Sequence, residues 1–169
     1  EPDRFMVFTG RVIDWGRRNQ KSLMTGAAVV VGALVVLLAW AYLAQRAEAR
    51  SNELLNETLA RYQALAAEKE PAAALEATRE DFEKLVKQYG GKSGGRIARV
   101  RYADLCLKTG DVERALALYK KAASDFSGKP SVAAQVKCSL AQAQLAAGDV
   151  SGAIRTFEAV AASPAAVNK

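Results

Sequence analysis

The hydrophobic pattern divides the chain into one apolar stretch and a polar, periodic remainder. Residues 23–44 read LMTGAAVVVGALVVLLAWAYLA and carry no charged side chain. At about 1.5 Å per residue, a helix over this stretch would be about 33 Å long, close to the thickness of a hydrocarbon core of about 30 Å. A soluble helix of this length would normally show a polar face, and this one shows none. The pattern therefore predicts a transmembrane helix over residues 23–44.

Two other interpretations of the apolar stretch fit less well. A cleavable signal peptide has a shorter apolar core, of about 7 to 15 residues, and it lies closer to the start of the chain. A buried core helix would need a large protein around it, and residues 45–169 are too few to enclose an apolar helix on every side. A permanent span is the interpretation that we retain.

The distribution of basic residues predicts the orientation of the span. Five basic side chains precede it, namely Arg4, Arg11, Arg17, Arg18 and Lys21, whereas the comparable stretch after it carries Arg46, Arg50 and Arg61. Because lysine and arginine are retained on the cytoplasmic side, residues 1–22 are expected to be cytoplasmic and the remainder to lie across the membrane. Aromatic and aliphatic residues within 1–22 fit an interfacial amphipathic helix as well as a partly ordered tail.

Composition argues against enzymatic chemistry. The chain has no histidine and two cysteines, Cys106 and Cys138, so the usual general base, the usual zinc ligand and a haem attachment motif are absent. We expect no catalytic residue, cofactor or metal, and no small-molecule substrate is evident. The net charge of +6 is thinly spread, which disfavours nucleic acid. The densest basic stretch is expected to be a solvated helix face: Lys87, Lys92, Arg96, Arg99 and Arg101.

An internal repeat follows the apolar stretch. The segment GDVERALALY at 110–119 returns as GDVSGAIRTF at 148–157, a separation of 38 residues. Each unit is expected to form two helices, with Gly110 or Gly148 between them. Asp111, Ser131 and Asp149 are the expected helix caps. Small residues at equivalent positions would let the paired helices approach closely: Ala103 with Ala115, and Ala141 with Ala153.

Residues 45–95 fit a degenerate first unit. Pro71 is suited to open a helix that Gly90 and Gly91 would close. Its partner would be the segment 45–69, where one stripe contains Leu55, Leu59, Tyr62 and Ala66. That segment has no proline or glycine, so it could continue the membrane helix as a stalk. A flexible joint near Ser51 and Asn52 is the alternative.

The order Gly110, Ala115, Tyr119 and Ala122 resembles the core of the tetratricopeptide repeat. The resemblance is incomplete, because the period is 38 rather than about 34 and Arg99 and Lys137 replace the large aromatic early in the first helix. Together with the predicted span, it implies an all-α protein: a single transmembrane helix followed by a short α-solenoid. The expected domains are the cytoplasmic segment 1–22, the span 23–44, the stalk and degenerate repeat 45–95, and two repeats over 96–169.

This layout resembles the bacterial ancillary subunit of the Sec translocon. The resemblance implies an inner-membrane location, a periplasmic repeat domain, and partners among newly exported proteins, periplasmic chaperones or the translocon itself. The same layout fits a structural accessory subunit of another membrane complex. A third hypothesis, an unrecognised enzyme, finds no support in the spacing of Asp104, Asp111 and Glu113.

Protein binding is expected on the wall formed by the first helices of each pair. The candidate groove residues are Val100, Asp104, Leu107, Lys108, Gln135, Cys138, Gln142 and Leu145. This mostly uncharged set suits an apolar peptide better than an acidic terminus; alternatively, several of these residues only pack between units.

Two further features of the sequence concern packing rather than a groove. Ala28 and Gly32 form a small-xxx-small pair in the span that could contact another helix. The two cysteines are expected to be buried free thiols, because an axial offset of roughly 9 Å separates them and exceeds the reach of a disulfide.

Overall fold

The structure is a computed structural model that describes residues 19–163, and this part of the chain contains helices and no strand. The helices are α1 (Gln20–Glu68), α2 (Pro71–Tyr89), α3 (Ser93–Lys108), α4 (Val112–Asp125), α5 (Pro130–Ala146) and α6 (Val150–Ala161). The all-α prediction is confirmed. The predicted interfacial helix within residues 1–22 lies almost wholly outside the described residues. The chain divides into two units, Glu1–Arg46 and Ala47–Lys169, and each is described by itself.

The described part of the first unit is the amino-terminal portion of α1. Its large apolar side chains are exposed, including Leu38 and Trp40 at 70% each. Among residues 19–163, α1 is the one helix long and apolar enough to cross a membrane, with a mean hydropathy of 2.5 in its most apolar window. A methyl group added at Gly32 would meet nothing within 4 Å. The alternative of a joint near Ser51 and Asn52 is not observed, since α1 is helical through both residues.

The second unit packs helices that follow one another in the chain. Each of α2 to α5 contacts the helix that follows it, and α3 also contacts α5. The alanines predicted at the close approaches, Ala103 with Ala115 and Ala141 with Ala153, are all completely buried. Alanine lets two helix backbones come together without losing helix propensity. The hydrophobic core therefore runs along the array of helices.

The two repeats share the same turn between their helices. Gly110 and Gly148 have φ of +86° and +81°, a conformation that glycine adopts without strain. The next residue in each repeat donates its backbone N–H across the turn, Asp111 to the Cys106 carbonyl (2.8 Å) and Asp149 to the Gln144 carbonyl (2.9 Å). The turn is therefore built identically 38 residues apart.

The predicted caps are confirmed at two of three positions. The Asp111 carboxylate accepts from the Arg114 backbone N–H, and the Asp149 carboxylate accepts from the Gly152 backbone N–H at 2.8 Å. The cap predicted at Ser131 is wrong: α5 begins at Pro130, and Lys129 precedes it without a side-chain cap. Proline is pre-organised for the first helical position, so the helix starts earlier than the serine suggested.

The degenerate first pair comprises residues 47–68 of α1 together with α2. Leu55 of α1 is 6% exposed and packs in a cluster with Leu85 of α2. Thr78 stands where the repeat would place a small residue, and it is completely buried. Its hydroxyl donates to the Ala74 carbonyl at 2.9 Å, so the buried oxygen is satisfied within its own helix.

Arg99 contradicts the expectation of a solvated basic face. The residue is 5% exposed, and its guanidinium forms an ion pair with Asp125 at the end of α4. Burial lowers the pKa of Arg99, and the charge of Arg96 acts in the same direction. By contrast, Arg101 is solvated, with its side chain 61% exposed. Arg99 thus stands where the repeat pattern has a large aromatic residue. Its charge is neutralised by Asp125 on a neighbouring helix.

Removing the buried member of this basic stretch should destabilise the repeats. We expect Arg99→Ala to lower the free energy of unfolding by about 3 kcal/mol or more, because Asp125 would be left buried without its counter-charge. Arg101→Ala, the matched control, should cost less than about 1 kcal/mol. Urea unfolding followed by circular dichroism measures both. Equal losses would contradict the buried-pair interpretation.

Candidate protein-binding groove

A groove of about 430 Å³ lies between α3 and α5, the first helices of the two repeats. From α3 it is lined by Ile97, Val100, Arg101 and Asp104. From α5 it is lined by Val132, Gln135, Val136 and Ser139, and the preceding loop adds Phe126 and Lys129. Each helix therefore contributes residues spaced by three and four positions, which form one face of a helix.

The groove combines an apolar wall with a few polar groups. Val136 and Phe126 are buried, at 3% and 9% exposure, while Ile97 is 40% exposed. Arg101 and Lys129 are exposed. A concave surface of this type accepts apolar side chains, and its polar groups can orient a peptide backbone.

Asp104 is held in place by the core beneath the groove. Its carboxylate accepts a hydrogen bond from the Tyr119 hydroxyl of α4, and Arg101 lies 3.8 Å from its other oxygen. Burial and the hydrogen bond to Asp104 raise the pKa of Tyr119, so its hydroxyl remains a donor near neutral pH. A polar contact therefore joins the groove surface to the packing of the first repeat.

The structure brings only part of the predicted groove set together. Val100, Asp104 and Gln135 line the groove. The remaining predicted residues do not line it: Leu107, Lys108, Cys138, Gln142 and Leu145. Leu107 packs against the hydrophobic core, and Leu145 is 46% exposed away from the groove.

The difference has a geometric reason. The sequence set pairs Val100 with Cys138 and Leu107 with Leu145, which are equivalent positions 38 residues apart. A groove between neighbouring helices is lined by the two flanks that face each other. The residues of one wall therefore need not be the repeat equivalents of the residues of the other wall. The observed walls are related by 35 residues, as with Ile97 and Val132 or Asp104 and Ser139. Three residues correspond to a rotation of about 60° around a helix, which moves Cys138 and Gln142 off the wall.

The two cysteines differ in environment. Both are free; Cys106 is buried at 1% exposure, whereas Cys138 is only partly buried. Burial raises the pKa of the Cys106 thiol to about 11. The expectation of two buried thiols is therefore right for Cys106 and wrong for Cys138. Within residues 19–163, no group of three His, Cys, Asp or Glu side chains is arranged to hold a metal ion.

Comparison with known proteins agrees with this architecture. A family model described as a tetratricopeptide repeat-like domain matches residues 14–166. The chain therefore belongs to the family of tetratricopeptide repeat-like domains, whose members are typically non-catalytic adaptors. The searches of curated proteins and of solved structures found no match. The tetratricopeptide-like prediction is confirmed, while the specific resemblance to the ancillary Sec subunit has no support beyond the layout.

The thiols provide a chemical test of the packing around the two cysteines. At pH 8 we expect N-ethylmaleimide to label Cys138 and to spare Cys106, whose thiol is buried and protonated. Mass spectrometry of the native chain should find one adduct, and unfolding in guanidinium should add the second. Rapid native labelling of Cys106, or a disulfide that blocks both thiols, would contradict this arrangement.

Proposed function

We propose that this protein is a non-enzymatic adaptor, anchored in a membrane through α1, whose repeat domain binds other proteins. The observation that carries the proposal is the groove between α3 and α5. Membership of a family of protein-binding repeats supports the general role. The proposed ligand is an apolar segment of a protein, in extended or helical form.

The composition of the groove favours an apolar ligand over an acidic terminus. Repeat domains that hold a carboxylate converge several cationic and amide side chains on it, whereas this groove places Val100, Val132 and Val136 in its wall. The cations Arg101 and Lys129 are partly balanced by Asp104. An apolar side chain of the ligand would gain from burial against the valines, at roughly 25 cal/mol per Å². Gln135 and Ser139 would orient the ligand's backbone.

The exposed apolar part of α1 supports membrane anchoring. Its side chains are exposed over more than five turns, a surface that water would solvate poorly and that lipid accepts. The excess of basic residues before the span supports a cytoplasmic amino terminus. The proposed location is the bacterial inner membrane, with the repeat domain in the periplasm.

The proposed site of action is the export translocon, together with periplasmic chaperones. This step rests on the layout of one span followed by a small helical-repeat domain. A structural accessory subunit of another membrane complex is the second candidate. This second candidate is supported by the open surface around Ala28 and Gly32, where a neighbouring membrane helix could approach closely.

Site-specific photo-crosslinking tests the binding surface and the partner together. Gln135 and Gln142 are both exposed glutamines of α5, but Gln135 lines the groove and Gln142 does not. A photoreactive residue at 135 should give adducts in intact membranes, and the same residue at 142 should give few. Translocon or chaperone adducts support the adaptor, whereas a single stoichiometric foreign complex supports the accessory subunit. Equal adducts from both positions would contradict the groove.

A charge placed at the mouth of the groove should weaken binding. Ile97→Glu replaces an apolar contact that we estimate at about 1.5 kcal/mol, so the adduct yield at position 135 should fall about tenfold. Because Ile97 is already 40% exposed, the fold should tolerate the change. Leu145→Glu is the matched control, since Leu145 is 46% exposed and lies off the groove. If Leu145→Glu were the more damaging variant, the binding surface would lie elsewhere.

A further inference from the structure

The turns at the two ends of the repeat domain differ in charge. Helices joined by short turns run antiparallel, so alternate turns fall at the same end of the array. One end holds the α2–α3 turn and the α4–α5 turn, which contain Lys92 and Lys129 and no acidic residue. We call it the basic end. The other end holds the three remaining turns. Each of them contains an acidic residue, and one also contains a lysine: Glu70 with Lys69, Asp111 and Asp149.

Four basic side chains at the basic end have no counter-charge within the described part of the chain. They lie in the last turn of α2, the α2–α3 turn, the first turn of α3 and the α4–α5 turn: Lys87, Lys92, Arg96 and Lys129. Among residues 19–163, none of the four forms an ion pair. We call these four residues the basic edge.

The acidic residues near the basic edge are mostly engaged by the protein itself. Asp125 forms an ion pair with the buried Arg99, and the Glu48 carboxylate accepts a hydrogen bond from the Ser93 backbone N–H at 2.7 Å. One further acidic residue lies within a helical turn of this end, Glu158 of α6, and it is exposed. The four cations therefore outnumber the acidic charge left free there, and their field attracts an anionic partner.

The basic end is also the end at which α1 enters the repeat domain. The start of α3 packs directly on α1, since a methyl group added at Gly94 would clash with the Ser51 carbonyl oxygen. Glu48, which holds the first residue of α3, follows the predicted span 23–44 by four residues. Four residues cover about 6 Å in a helix and at most about 14 Å when extended. The covalent connection therefore keeps the basic edge within reach of the lipid headgroups.

We propose that the basic edge rests on the bilayer surface and binds the phosphate groups of anionic phospholipids. This inference rests on the membrane anchoring proposed above. The tether gives the basic edge a high effective concentration at the bilayer, an advantage that a nucleic acid or an acidic protein lacks. Each lysine or arginine near an anionic surface strengthens such an association about fivefold. Because Lys129 also lines the groove between α3 and α5, this contact would hold the groove close to the membrane.

Short-range quenching in nanodiscs tests the proposal with the full chain. In a Cys138→Ser background, a dye is attached at Ser127→Cys, in the turn beside Lys129, and is quenched by lipids that carry a nitroxide on the headgroup. Discs in which about one-third of the lipid is phosphatidylglycerol should quench the dye several-fold more than discs of phosphatidylcholine. Salt at about 1 M should remove the difference, because the Debye length falls to about 3 Å. The same dye at Ala147→Cys, at the opposite end, is the control and should show no difference.

Neutralising single cations gives a second measurement. Lys92→Gln should lower the ratio of docked to free repeat domains in phosphatidylglycerol discs about fivefold. The fold should tolerate this change, since the Lys92 side chain makes no cap hydrogen bond. Lys69→Gln is the matched control, because it removes the same charge from an exposed turn at the opposite end and should leave the ratio unchanged. Equal losses from both variants would assign the response to net charge and overturn the proposal.

The outcomes separate the basic edge from membrane anchoring. If the chain enters both kinds of disc and the dye at 127 is quenched equally in both, anchoring stands and the lipid contact is refuted. If the chain enters neither, both proposals fall. Soluble glycerol phosphate or polyglutamate, added at matched ionic strength, should leave the quenching in phosphatidylglycerol discs unchanged. Loss of quenching would assign the basic edge to a soluble phosphate or an acidic protein, against the proposal.

Discussion

The close approach of paired helices at alanine is the constraint on which the rest of the structure depends. Ala103 and Ala115 in the first repeat, and Ala141 and Ala153 in the second, have no exposed surface. A larger side chain at any of these positions would force the helices apart, and the overpacking would cost roughly 1 to 3 kcal/mol. Once these pairs are closed, Tyr119 fills the space toward the next repeat and its hydroxyl reaches Asp104. The position of the groove wall follows from this packing.

Local signals made most of the fold predictable. Glycine at 110 and 148 marks turns that need a positive φ, and the aspartate after each glycine caps the next helix. Turns and caps depend on residues that are close together in the chain, so they can be predicted directly from the sequence. Pro130 was the exception, because its preference for the first helical position moved the start of α5 ahead of Ser131. The apolar stretch of α1 was equally predictable, because its length and its lack of charged residues define it.

Features that depend on the angle between helices were not predictable. The sequence places equivalent residues 38 apart, but the groove walls are 35 apart because neighbouring helices face each other with different flanks. Arg99 shows the same limit: its burial depends on Asp125, a residue 26 positions later on another helix. Of the groove residues that the sequence did not reveal, Ile97 and Arg101 are four residues apart on α3, and Val132 and Ser139 are seven apart on α5. That spacing could have identified them only after the helix orientation was known.

The most direct test of the account is hydrogen exchange of the full chain in lipid nanodiscs, with and without a short synthetic peptide of alternating leucine and serine. The account predicts that the peptide slows exchange over residues 97–104 of α3 and 132–139 of α5, and leaves α2 and α4 unchanged. It also predicts that residues 23–44 remain protected by lipid in both states. Slowing confined to other helices, or rapid exchange over 23–44 in the nanodisc, would contradict a lipid-anchored repeat domain that binds apolar segments.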